Sequence, residues 1–203
     1  IENNRTAVNT LLKEVASPNW ENLVQVLAET GDVLGQAWSP VSHMNAVVNS
    51  PEIRQAYEGC LPLLSELQTE LGQNKDLYEA YVKISQSDEF KSFSPARTKI
   101  INDSLRDFKL SGIALSAEKQ KQYGDLQKKL SELSSSYSNN VLDATMSWTK
   151  LVTDKDDLEG IPDDALEAAA EAAKAKDLEG WLFTLEFPSY FPVTTYCSNR
   201  ELR

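Results

Sequence analysis

The sequence predicts an all-α protein, a multi-helix antiparallel bundle with one small two-stranded antiparallel β ribbon. Its 203 residues include only eight Gly and eight Pro, too few to supply the turn about every ten residues that a β-sandwich needs. Apolar residues recur every three or four positions through several long segments, which is typical of amphipathic helices. Alternation at a period of two is confined to one stretch, residues 181–187.

Serine followed by proline marks the predicted helix starts, since serine caps a helix and proline fits its first position. The four pairs are Ser17-Pro18, Ser39-Pro40, Ser50-Pro51 and Ser94-Pro95. Apolar spacing continues through Ser39-Pro40, so we predict one long helix there, or two segments, kinked at Pro40. Its apolar face consists of Leu23, Leu27, Leu34, Trp38, Val41, Met44 and Val48.

The following helices are predicted from the same spacing. One contains Tyr57 to Leu71 and stops at Gly72, and shorter helices follow at residues 75–86 and 96–111. A long helix then starts at Ser116. We call its apolar residues the 123–141 stripe: Tyr123, Leu126, Leu130, Leu133, Tyr137 and Val141. We expect this stripe to be buried inside the domain, as in a coiled coil.

The ribbon is predicted from two segments rich in β-forming residues. Residues 146–152 and 181–187 should pair antiparallel, with a helix at residues 163–176 between them. Because that helix is made largely of Ala, Glu and Lys, we expect it on the surface. Residues 189–203 are expected to begin a helix whose C-terminal stop is absent.

The expected organisation is a single helical domain of a larger protein, residues 1–203, and the family resemblance given below implies that it is the N-terminal one. It divides into a helical bundle at 1–145, the ribbon with its inserted helix at 146–187, and the start of a truncated helix at 189–203. The first residue is Ile1, not Met. This start and the missing helix stop lead us to expect a longer parent polypeptide.

The charge and composition of the chain limit the classes of partner that we expect. Acidic residues outnumber basic ones 31 to 20, giving a net charge of −11, so nucleic acid is not expected as a partner. Whether this charge only solubilises the surface or also steers cationic ligands stays open. No apolar run approaches the roughly 18 residues of a membrane span, so no membrane partner is expected. Cys60 and Cys197 are isolated thiols that suit a reducing compartment.

Groups for catalysis are scarce. His43 is the only histidine, and we expect it to serve helix packing or local hydrogen bonding. The acidic residues 154–159 lack the spacing of a calcium loop, which favours helix capping and solvation. The tryptophans Trp20, Trp38, Trp148 and Trp181 are interpreted as packing residues, with a ligand-stacking surface as the alternative. No catalytic, cofactor-binding or metal-binding residue is predicted in this chain.

Five segments carry a resemblance to a known family. They are Trp20-Glu-Asn-Leu23, Ser39-Pro-Val-Ser-His43, residues 102–113, residues 133–152 and residues 187–203. In this order along the chain they resemble the thimet-oligopeptidase family of zinc metallopeptidases, in its bacterial branch. The resemblance implies a cytoplasmic zinc endopeptidase that acts on short peptides, including released signal-peptide fragments.

The same resemblance limits what this chain can contribute. Family members are helical, with two lobes flanking a deep channel, and hold zinc through a His-Glu-x-x-His helix. That motif is absent here, so no catalytic or metal-binding residue carries over and zinc would belong to the parent protein only. The chain would form a wall of the channel, with short peptides and the missing catalytic lobe as its partners. Alone, it should bind no zinc tightly and hydrolyse no peptide.

Two other hypotheses come from the residues themselves. A stand-alone helical interaction module could dock partner helices along residues 123–141. A hydrolase that uses carboxylates alone is a third possibility, without positive support in the sequence.

Overall fold

The structure, a computed structural model, describes residues 1–203 and contains eight α-helices and two β-strands. The predicted all-α class with one antiparallel ribbon is confirmed. Two compact units are present, residues 1–135 and 136–203. The predicted division at residue 145 remains a prediction. No helix is both long enough and apolar enough to cross a membrane.

The first unit contains α1 to α5 and most of α6. The helices are α1 (Glu2–Glu14), α2 (Val26–Val47), α3 (Pro51–Gly72), α4 (Lys75–Ser85), α5 (Pro95–Leu110) and α6 (Ala117–Ser147). A π-helical segment, Trp20–Gln25, leads into α2, and α2 runs on through Pro40.

Serine and asparagine caps set several of these helix starts. The Ser50 hydroxyl accepts a hydrogen bond from the Ile53 amide at the start of α3, and Ser94 does the same for Arg97 in α5. At Ser17-Pro18 the cap lies two residues further on, where the Asn19 and Asn22 side chains each accept a hydrogen bond from the other's backbone. These contacts satisfy amide groups that the first helical turn leaves without partners.

The core of the first unit lies where α4 and α5 meet the π-helical segment. Ile84, Leu23 and Ile101 are fully enclosed there. The rings of Tyr78 and Tyr81 each contact Phe108 edge-on, with centroids 5.7 and 5.6 Å apart. Of the apolar face predicted around Pro40 only Leu23 is buried, and Val41, Met44 and Val48 are exposed.

The second unit is built around the predicted ribbon. β1 (Thr149–Val152) and β2 (Trp181–Thr184) pair antiparallel, with Val152 opposite Trp181. The strands are shorter than predicted, because α6 extends to Ser147 and β2 ends at Thr184. Between them lies α7 (Asp163–Lys174), whose Ala169 and Ala173 are buried. α7 therefore lies at the surface, as expected, and buries only these two small residues.

The last helix also differs from the prediction. α8 covers Phe187–Tyr196 and ends at Cys197, whose backbone is extended. Residues after it fold back, and the Ser198 amide donates a hydrogen bond of 2.8 Å to the Glu159 carbonyl. The expected helix without a stop is therefore wrong, because this hydrogen bond and the burial of Cys197 hold the chain in a different conformation.

Candidate functional site

The three residues best suited to nucleophilic or metal chemistry occupy unrelated surroundings. His43 is exposed on α2, so the packing role expected for it is not found. Cys60 is half-buried on α3, and Cys197 is buried with its thiol 3.4 Å from the Asp157 carbonyl oxygen. No group of three or more His, Cys, Asp or Glu side chains is arranged to hold a metal ion.

Two carboxylates of the acidic run at residues 154–159 accept hydrogen bonds. The Asp154 carboxylate accepts a bond from the Asp156 amide at 3.0 Å, and Asp157 accepts one from the Asn199 side chain at 2.9 Å. The short 3-10 helix Asp156–Leu158 has no side-chain cap at its N-cap residue, Lys155, so the expected capping role is not found. The acidic run supplies no cage of oxygen ligands for a calcium ion.

The tryptophans take part mainly in packing. Trp20 packs edge-on against Phe93 and carries the Arg97 guanidinium 4.5 Å above its ring, a cation–π contact. Trp38 stacks on Tyr57 with centroids 5.0 Å apart. Trp148 differs, because it is exposed and borders a cavity in the second unit.

The first unit contains an open cavity of about 370 Å³ between its first five helices. Leucine is the commonest residue in its walls, and Tyr81, Ser104 and Asp107 are among the residues that contribute polar groups. Burial raises the pKa of Tyr81, while a hydrogen bond with Ser104 acts in the opposite direction. The phenol therefore stays neutral at physiological pH. The cavity offers apolar contact and hydrogen bonds, but no nucleophile paired with a base.

The second unit contains a cavity of about 320 Å³ beside the ribbon. Trp148, Phe183 and Tyr190 contribute aromatic walls, and Lys150 and Arg203 lie at its edge. The neighbouring rings of α8 are also open to solvent, with Phe187 stacked on Phe191 at 5.0 Å. This surface is suited to packing or binding, and contains no set of catalytic groups.

The most unusual surface is on α6. Five of the six residues in the 123–141 stripe are exposed, with exposed fractions of 69% for Leu126, 59% for Leu130, 55% for Leu133, 71% for Tyr137 and 48% for Val141. The prediction that this stripe is buried inside the domain was therefore wrong for the 203-residue chain. No residue of α6 is fully buried.

A polar face of α6 takes the inward position instead. Gly124, Gln127 and Ser131 are half-buried, and a Cβ on Gly124 would lie 3.4 Å from the Thr69 methyl of α3. The spacing of the apolar residues predicted the helix correctly, but spacing does not indicate which other element the stripe contacts. The glycine and serines on the other side were the sequence signal for the close contact.

Comparisons with known proteins place these features in a family. Residues 1–120 match the model of the family described as Neurolysin/Thimet oligopeptidase, N-terminal domain. The chain belongs to this family, as the resemblance in the sequence predicted.

The most similar relatives that we compared are longer enzymes. Oligopeptidase A of Haemophilus influenzae is 55% identical over 96% of this chain and 29% of the relative, and that of Escherichia coli is 54% identical over 98% and 29%. A probable cytosolic oligopeptidase A of Arabidopsis thaliana is 38% identical over 95% of this chain and 28% of the relative. The chain thus spans less than a third of the length of these relatives.

Proposed function

We propose that this chain is the N-terminal, channel-wall portion of a zinc-dependent oligopeptidase that hydrolyses short peptides. The observation that carries the proposal is the identity of 53–55% to bacterial oligopeptidase A over nearly the whole chain. The family model, which describes an N-terminal domain, supports the same position in the parent protein.

The side chains of this portion do not suit a zinc site. A catalytic zinc needs three protein ligands, commonly histidines with a carboxylate, and the single histidine here, His43, is exposed. We therefore assign the zinc ligands and the activation of water to the remaining part of the parent protein. This portion contributes no catalytic residue.

The role of the chain is to limit access. Rigid helices that border a channel admit narrow, flexible peptides and exclude folded proteins, so selection is by size. Peptides released from cleaved signal sequences are among the short, flexible peptides that such a channel admits. A cytoplasmic location accords with the name of the cytosolic plant relative and with the unpaired cysteines of this chain.

A second candidate function is supported by one observation. The exposed 123–141 stripe is what a stand-alone interaction module would use to bind a partner helix. Membership in a peptidase family favours the first function, and in that function the stripe acquires a partner within the same protein.

A chimera tests the proposal. This chain replaces the matching 29% of E. coli oligopeptidase A, and cleavage of a quenched short peptide is compared with that of a folded protein. We expect the chimera to cleave the peptide at a rate within about tenfold of the parent enzyme and to spare the folded protein. A folded chimera without peptidase activity would contradict the proposal and favour the interaction module.

A further inference from the structure

The two long faces of α6 have the reverse of the usual polarity. Gly124, Gln127 and Ser131 are half-buried, with Gly124 next to Thr69 of α3, whereas Leu126, Leu130 and Leu133 are exposed. An amphipathic helix normally turns its apolar stripe to the core and its polar face to water. The leucine face of α6 therefore lacks an apolar packing partner, although its composition is suited to packing against another apolar surface.

The shape of this face defines what it can bind. Leu126, Leu130 and Leu133 are spaced by four and three residues, so they form one ridge along the helix. α6 has 31 residues, which corresponds to a length of about 46 Å. Ridges of this kind pack into the groove of another helix that lies nearly along the same axis.

We propose that Leu126, Leu130 and Leu133 dock an apolar helix face from the part of the oligopeptidase outside these 203 residues. This proposal rests on the proposed function. The relatives place about 71% of their length outside the matching segment, since each match covers 29% of the relative. A partner in the same polypeptide needs no separate encounter, because the covalent link gives it a high effective concentration.

The charge pattern disfavours other occupants. The chain carries a net charge of −11, so two copies repel each other. α6 itself contains four lysines and four acidic residues, and it lacks the basic polar face with which helices bind anionic membranes. A helix without net charge that carries an apolar ridge is suited to packing against another helix of the same protein.

The test compares the same substitutions in two settings. A double variant, Leu130→Ala with Leu133→Ala, is made in the 203-residue chain and in the chimera with E. coli oligopeptidase A. Lys128→Ala is the matched control, because Lys128 is exposed and lies 200° around the helix from Leu130. Thermal unfolding and peptide cleavage are measured for every protein.

We expect the double variant to lower the Tm of the chimera by at least about 6 °C and that of the 203-residue chain by less than about 3 °C. Lys128→Ala should change neither. An active chimera whose Tm is insensitive to the double variant would overturn the docking proposal and leave the proposed function intact. An inactive chimera whose Tm still falls would support docking and contradict the function.

Two other outcomes identify the alternative occupants. A 203-residue chain that is dimeric by light scattering, and monomeric in the double variant, would show that a second copy covers the ridge. Binding to anionic phosphatidylserine vesicles, lost in the double variant, would show a membrane. Either result would overturn the proposal.

Discussion

Replacing Leu130 by Ala in the 203-residue chain should have almost no effect on stability. Full burial of a leucine side chain stabilises a protein by about 1.5–3 kcal/mol, but Leu130 is 59% exposed. Only the covered part of its surface is lost, and alanine has the highest helix propensity. We therefore expect the free energy of unfolding to fall by less than about 1 kcal/mol.

A matched control makes this result interpretable. Leu67 also lies within a long helix, α3, but is only 3% exposed, so Leu67→Ala should cost about 2–5 kcal/mol. Urea unfolding followed by circular dichroism gives both values. A cost for Leu130→Ala equal to that of Leu67→Ala would refute the exposed position of the 123–141 stripe, and with it the docking surface.

Three further predictions concern two glycines and the Glu52 carboxylate. Gly31→Ala should stabilise α2 by about 0.5–1 kcal/mol, since a Cβ at Gly31 meets no atom within 4 Å. Gly180→Ala should instead lower the thermal midpoint of unfolding, because φ is +118° there and the Cβ would lie 2.5 Å from the Val152 carbonyl oxygen. The Glu52 backbone amide, and then Ser50, hydrogen-bond the Glu52 carboxylate and lower its pKa below the ordinary value of 4.5. Ionised Glu52 therefore stabilises the fold above pH 4.5, and this contribution is lost as the pH falls through the lower folded pKa. The urea midpoints of the unsubstituted 203-residue chain and of Glu52→Gln should differ at neutral pH and converge in acid. A difference that stays constant with pH would contradict the lowered pKa of Glu52.

Local signals predicted the secondary structure well. Ser50-Pro51 and Ser94-Pro95 start α3 and α5, because the capping hydroxyl and the ring of proline act within the first helical turn. The antiparallel ribbon also followed from local alternation at residues 181–187 and from the helix between its strands. These features depend on neighbours in sequence, so one chain is enough to predict them.

Features that depend on distant contacts were predicted less well. The spacing of Leu126, Leu130 and Leu133 is the same whether the ridge faces its own unit or another part of the protein. The surface position of α7 was predicted, but its sequence does not indicate which alanines are enclosed, and Ala173 is among the most enclosed residues. α8 ends at Tyr196, and the residues after it are held by the hydrogen bond from the Ser198 amide to the distant Glu159 carbonyl. The local sequence does not indicate this contact.

The peptidase family was predicted by resemblance, whereas no site residue in this chain was predicted. Composition and spacing alone indicated an acidic helical protein, and the absence of catalytic or metal-binding residues from this chain stays a prediction. Five sequence segments pointed to the peptidase family, which the comparisons confirm. Cavities between helices, such as the one beside Tyr81, could not be predicted, because they arise from packing among five separate segments.

The most direct test of a non-catalytic role is metal analysis of the purified 203-residue chain together with turnover of a quenched peptide. We expect zinc far below one equivalent per chain and no hydrolysis above the buffer rate, because no three ligands converge in this portion. About one tightly bound zinc per chain, with turnover that a chelator abolishes, would contradict it.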